Sequence, residues 1–328
     1  MATNQSITVT RNPDYWKPGR PYLNGIEYTI IKDVSTRLLS FLSGKDDAYF
    51  GVTIPQLKDV KTQAPRAICD MFTGNVARNL IVNRDVPPFD NPDLRRAMSL
   101  TLDRKAFVDI ITEGQGDIGA VMQPPPSGLW GMPSDLLKTL PGYDPDVEKS
   151  RAEARKLMEK LGYGPDKHLA VTVSTRNLAP YRDPAVILID QLKQIYMDGV
   201  LDPVDTTNWY PKLMRKDYTV GLNITETAVD DPDPAFYENY VCGAMRNYTG
   251  YCNLEVDKMV DEQSAMSDVA KRKQLVWAIE KKLAEDDVRP ILFYPRAANC
   301  YYPKVKGLMT QANSIYNGQR FEDLWLDN

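Results

Sequence analysis

The chain has 328 residues, 43% of them hydrophobic and 26% charged, enough to bury a full core in one large domain or two modest ones. Its 40 basic and 44 acidic residues leave a formal charge of -4 and are interspersed without a basic block, which argues against a nucleic-acid partner held mainly through phosphates. Apolar runs such as residues 185–189 fall far short of the roughly 20 residues of a membrane-spanning helix, and the first six residues lack the charged and apolar regions of a signal peptide.

In chain order, residues 7–10 alternate like a strand and lead into a rigid turn on Pro13, Pro18, Gly19 and Pro21. Residues 26–31 read as a strand, 34–42 as a helix closed by Ser43 and Gly44, 55–63 as a helix and 67–72 as a strand. The centre of the chain opens at residues 79–83, Asn-Leu-Ile-Val-Asn, a run with the length and β-branched content of a buried strand. Pro87 and Pro88 end it, because they remove two donors and fix two φ angles. Asn91 then caps a helix, Pro92 fits its first position, and Asp93 favours the positive end of the helix dipole. Asp103 caps a second helix with Ala106, Phe107, Ile110 and Ile111 on its apolar stripe, and Arg95 and Arg96 read as helix-surface charges.

Residues 121–141 form a loop rich in Pro and Gly around Trp130. A helix starting at Asp144-Pro145 and ended by Gly162 and Gly164 follows, then a strand over 169–175, and a helix that starts at Asp183-Pro184 and is closed by Gly199. Then come a strand over 203–206, a helix over 209–214, a strand over 218–225, helices over 254–266 and 269–285, and strands over 291–294 and 297–302. This alternation predicts an α/β sheet with crossover helices. Cys242 and Cys252 bracket a short polar loop with Gly243 and Gly250, which suits a disulfide and two free thiols equally. Cys69 and Cys300, far apart in sequence and in apolar surroundings, predict free buried cysteines.

No catalytic apparatus is visible. His168 is the only histidine, and there is no phosphate-binding Gly-Lys loop, no nucleophile elbow and no Cys-x-x-Cys, so no catalytic residue, cofactor or metal site is expected. The run Asp230-Asp231-Pro232-Asp233 lacks the Gly and distal Glu of a calcium loop and reads as a polar turn capping the segment after it.

Several blocks, in order, carry a family resemblance: Asn12-Pro13-Asp14-Tyr15-Trp16, Ser43-Gly44-Lys45-Asp46-Asp47, Pro87-Pro88-Phe89-Asp90-Asn91, Leu94-Arg95-Arg96-Ala97-Met98, Tyr143-Asp144-Pro145, Asp231-Pro232-Asp233 and the final Phe321-Glu322-Asp323-Leu324-Trp325-Leu326. Together they resemble the family 5 extracellular solute-binding proteins, the oligopeptide, dipeptide and nickel receptors of bacterial ABC importers. The resemblance implies a periplasmic-binding-protein-like α/β fold, with one complete lobe plus part of a second, and a chain matching the C-terminal portion of a larger receptor. Residues 1–53 would belong to the first lobe, 54–295 would form the second, and 296–328 would return to the first. It further implies a monomeric, non-enzymatic periplasmic receptor that closes by hinge motion on a small peptide-like solute and delivers it to an ABC permease.

Candidate ligand contacts at the sheet edge where α/β folds collect ligands are Arg176, Tyr181 and Arg182, with Trp209 as a stacking aromatic; the resemblance implies that Thr225, Glu226, Thr227 and Asp230, after another strand, also lie at the cleft. Each arginine and the tryptophan also has a plain structural reading, as a local ion pair or as packing. In the dipeptide receptors an Asp before the Asp-Pro-Asp block pairs with the ligand ammonium. Here that position falls near Thr227 or Ala228, so the carboxylate is missing unless Glu226 or Asp230 replaces it, which counts against a plain dipeptide ligand. Two rival readings are a carboxylate-dependent hydrolase, for example one acting on glycosidic bonds through facing carboxylates, and a purely structural interaction protein.

Overall fold

A computed structural model describes residues 6–31, 33–227, 229–310 and 319–327. The chain divides into two compact units, residues 1–74 with 296–328, and residues 75–295.

The first unit contains β1 (Ser6–Thr10), β2 (Gly25–Thr29), α1 (Val34–Leu42), β3 (Ala48–Val52), α2 (Ile54–Gln63) and β4 (Ile68–Thr73). In the second follow β5 (Val76–Val82), α3 (Pro92–Leu100), α4 (Arg104–Thr112), β6 (Gly116–Asp117), α5 (Ser134–Leu137), α6 (Val147–Lys160), β7 (Leu169–Arg176), α7 (Ala179–Lys193), β8 (Met197–Val204), α8 (Thr206–Met214), β9 (Val220–Glu226), α9 (Pro232–Asn239), α10 (Leu254–Ser264) and α11 (Val269–Glu285). Strand β10 (Ile291–Tyr301) begins in the second unit and ends in the first, where β11 (Val305–Lys306) and β12 (Trp325–Leu326) complete the chain.

In the first unit, β1 and β2 pair antiparallel, and the second half of β10 runs antiparallel to both β3 and β4. Phe41, Tyr49, Val52, Leu57, Val60, Ala298 and Cys300 form its core. Residues 54–74 therefore stay with this unit, which moves the division from the 53/54 expected from sequence to 74/75: α2 packs into that core and β4 pairs with β10. Cys69 lies directly opposite Cys300 and is bonded to it, which corrects the expectation of free thiols. Directly opposed residues of an antiparallel pair come within about 4.5–5.5 Å, a proximity that a sequence separation of 231 conceals.

In the second unit, the strands lie in the order β10, β5, β9, β7, β8. β9 runs antiparallel to β5 and parallel to β7, which runs parallel to β8. On one face Leu80, Val82, Val173 and Leu222 pack against Leu94, Met98, Phe107 and Leu188 from the helices. Such doubly covered strands read as continuous apolar runs, which is why they were recognisable. The other face carries Ile81 with Trp209, Leu213, Tyr218 and Tyr248, while α9, α10 and α11 gather on Phe236, Val256, Val276 and Ile279. Among the described residues no helix is long and apolar enough to cross a membrane.

Three local expectations change. Helix α7 starts at Ala179 rather than Asp183, because the amides of Tyr181 and Arg182 both bond the Leu178 carbonyl and form the first turn ahead of Pro184. Gly199 sits inside β8 and closes no helix; a Cβ there would meet Ile189 at 3.0 Å, so the strand and helix approach closely only because it is glycine. Arg95 is buried, donating to the Phe89 and Asp90 carbonyls at 2.8 Å each, and so fastens the Pro87-Pro88 turn to α3; only Arg96 stays near the surface, paired with Asp287 at 3.1 Å. Cys242 and Cys252 are joined, which decides between the two open readings of that loop.

Candidate ligand-binding site

Alternate residues Asn223 and Thr225 at the carboxyl end of β9 point to one face, and Asn79 of β5 lies opposite Asn223. Asn223 and Thr225 border a cavity of about 310 Å³ that Tyr181, Tyr210, Glu226 and Arg289 also line. Arg289 is 2% exposed and held at φ 48°, in the left-handed region. Its guanidinium donates to Thr225 Oγ1 at 2.7 Å, Asn239 Oδ1 at 2.8 Å and, at 3.4 Å each, Asn79 Oδ1 and the Arg246 carbonyl. Every one of these acceptors is neutral, and among the described residues no carboxylate pairs with it.

The Arg176 guanidinium lies over the rings of Tyr181 and Tyr210, 5.5 and 5.9 Å from their centroids, and its Nε donates to Thr206 Oγ1 at 3.1 Å. The two tyrosine hydroxyls are 3.4 Å apart, and burial, then this contact, pushes the Tyr181 pKa up. On the far side of β5, burial lowers the Arg78 pKa to about 10, against the opposing pull of Tyr181 and Glu226. Arg176, Tyr181, Thr225 and Glu226, four of the residues expected from sequence, thus lie at or beside one cavity.

Residues 1–247 match the profile of the bacterial extracellular solute-binding proteins, family 5 Middle. The chain belongs to that family. It is 24% identical over 317 residues to the oligopeptide-binding protein AppA of Bacillus subtilis, covering 89% of this chain and 54% of AppA. It is 25% identical over 282 residues to heme-binding protein A of Haemophilus influenzae, covering 83% of this chain and 49% of that protein. The chain therefore spans about half the length of these curated relatives. Its fold matches the periplasmic binding protein DppA of Helicobacter pylori, solved in complex with the peptide STSA, with a TM-score of 0.84 at 21% identity over 99% of this chain and 61% of that one.

Other candidates in this family 5 chain have structural duties. Trp209 is fully buried, packed with Ile81 and Leu213, and donates Nε1–H to Asn223 Oδ1 at 3.1 Å, so it braces the cavity wall from behind and offers no face for stacking. Arg182 is exposed and bonded to Asn177 at 3.2 Å with Asp183 at 3.8 Å, the plain local pairing. Thr227 accepts a bond from Asn75 Nδ2 and donates its amide to the Asn75 carbonyl at 3.3 Å, closing the β5–β9 ladder. Asp230, its pKa raised by burial, accepts the Leu129 amide at 2.8 Å, and its carbonyl accepts Trp130 Nε1–H at 2.9 Å. His168 pairs with Asp198 at 3.0 Å, while Ala228 and residues 313–317 lie outside the described residues.

The Asp231-Pro232-Asp233 block is an ion-pair hub. Asp231 caps α9 and takes both oxygens to Arg272, at 2.9 and 3.0 Å, and Arg272 also reaches Asp233 at 3.1 Å. The hydrolase reading has no support: the chain's relatives are solute-binding proteins, and the carboxylates of Asp230 and Asp231 are engaged by the Leu129 amide and by Arg272. Among the described residues no group of three or more metal-ligating side chains occurs. Sequence reasoning missed Arg289, Tyr210, Tyr248 and Asn239 in the cavity wall. The one available signal was Arg289 itself, a charge set directly against Pro290 and the buried run that follows, where unpaired arginine is rare.

Proposed function

We propose that this chain supplies the substrate-binding part of a bacterial ABC importer for short peptides or a related small solute, working as a periplasmic monomer that delivers its cargo to a membrane permease. The observation that carries the reading is family membership coinciding with a cavity into which Tyr181, Tyr210, Thr225, Glu226 and Arg289 converge. About 310 Å³ is at the lower end of ligand-site volumes, roughly 300–1,000 Å³, and suits one or two side chains or a peptide terminus better than a whole oligopeptide. Tyrosine rings supply apolar area, and the flanking amides, hydroxyls and charges set orientation. A relative named for oligopeptides and a similar structure holding a tetrapeptide support peptides as cargo, and the heme-binding relative keeps the solute class broader than peptides alone.

Thermal unfolding with and without tri- to pentapeptides tests the reading. A ligand at 100 times its Kd adds about 2.7 kcal/mol of stability, so Tm is expected to rise and to climb with concentration. No rise with any peptide, against a clear rise with another small solute, would remove peptides from the account.

A further inference from the structure

We propose that the Arg289 side of this cavity is an anion-recognition subsite, in which the Thr225 hydroxyl, polarised by Arg289, donates to a carboxylate of the solute. The proposal rests on the solute-binding reading above and names the chemistry that the site selects.

A hydroxyl has two lone pairs and one proton. Thr225 Oγ1 accepts from Arg289 Nη2 at 2.7 Å and from Asn79 Nδ2 at 2.9 Å. Both lone pairs are thereby used, one of them by a charged donor, so the hydroxyl is left to donate, and its residue lines the cavity. Accepting from a cation strengthens that outgoing donation. The Tyr181 and Tyr210 hydroxyls, 3.4 Å apart, use one proton between them and leave the other free as a second donor.

The charges point the same way. Glu226 acts electrostatically on Arg78, and Glu238 pairs with Arg246 at 3.1 Å. Arg289 is the arginine of this lining without a carboxylate partner among the described residues, and Arg176 beside it also has none. A buried cation left unpaired is costly, and an incoming anion offsets that cost. Arg289 also holds a left-handed φ of 48°, a conformation that non-glycine residues seldom adopt, while its side chain reaches Thr225, Asn239 and Asn79. Arg289 acts here through Thr225 and is a positioning residue.

Ligand-detected NMR, which reads millimolar affinities, tests this on the full chain with four probes: trialanine, its C-terminal amide, Ala-Glu-Ala amide, and glutarate. Trialanine is expected to bind roughly 10- to 100-fold more tightly than its amide. If Ala-Glu-Ala amide matches trialanine, a side-chain carboxylate serves as well as a terminal one. Thr225→Val, which keeps shape and loses the hydroxyl, is expected to collapse the ratio of acid to amide to within about twofold; a purely structural threonine would weaken acid and amide alike and leave the ratio. Arg289→Gln is expected to do the same, and should it fail to fold, the Thr225 variant alone decides. Equal binding of acid and amide, or discrimination that survives Thr225→Val, overturns the subsite while leaving peptide binding intact. Binding of glutarate alone, lost in Thr225→Val, upholds the subsite and removes peptides. Binding of none of the four overturns both.

Discussion

Arg272 holds Asp231 through both carboxylate oxygens, at 2.9 and 3.0 Å, while its guanidinium lies 4.6 Å from the centre of the Trp130 ring. One side chain of α11 thereby fixes the cap of α9 and the loop around Trp130, and the same cap follows the end of β9. Its other donor bonds are to Asp233 at 3.1 Å and Gln263 at 3.0 Å. The acidic run that could pass for a cation site is a scaffold whose cation is an arginine.

Replacing Arg272 by Met is expected to lower stability by about 1–3 kcal/mol, the scale of a bidentate charge-assisted pair in a half-buried setting. Urea unfolding measures it. An unchanged midpoint would show the network to be ornamental.

Trp209→Phe separates packing from ligand stacking. The change leaves Asn223 Oδ1 without its donor and a gap beside Ile81 and Leu213. A stability loss of about 1–3 kcal/mol is expected, with the preference between carboxylate and amide ligands retained. Loss of ligand affinity at unchanged stability would restore the stacking role.

The two disulfides differ in what they constrain. Cys69–Cys300 spans 231 residues and Cys242–Cys252 spans 10, so the chain-entropy estimate for the first is the larger, about 5.5 kcal/mol against about 2.7. Replacing Cys69 and Cys300 together by Ser should therefore lower Tm more than replacing the other pair. Calorimetry that ranks them in the reverse order contradicts this.

Glu280 makes stability depend on pH. It is 1% exposed, accepts the Met122 amide at 2.7 Å, and burial raises its pKa to about 8 from an ordinary 4.5. Between those values the folded state binds the proton that the unfolded state has released. Its contribution is therefore fully present below about 4.5 and is lost as pH rises towards 8. Asp287, raised to about 6 mainly by burial, acts with the same sign. Glu280→Gln should flatten the fall in urea midpoint between pH 5 and pH 8; an identical slope in the variant would rule out Glu280 as its source.

Much of the architecture was legible because its signals are local. Asn91, Pro92 and Asp93 mark the start of α3 through chemistry within four residues, and the run from Leu80 to Val82 marks a strand buried on both faces. Cys69 opposite Cys300, Gly199 against Ile189, and Arg95 folded back on the Pro87-Pro88 turn depend on pairings that sequence distance hides. The site was half legible for the same reason. Arg176 and Tyr181 follow from the rule that ligands gather at strand ends and Thr225 and Glu226 from the family resemblance, whereas Arg289 reaches Thr225 across 64 residues. Trp209 and Asp230 were plausible by residue type, and burial and backbone amides claimed them instead.

Hydrogen–deuterium exchange with a saturating tripeptide tests the central claim, that this cavity holds the solute, most directly. The account predicts added protection in the segments that supply Tyr181, Tyr210, Asn223, Thr225, Asn239 and Tyr248. Protection confined to other segments, with these unchanged, would contradict it.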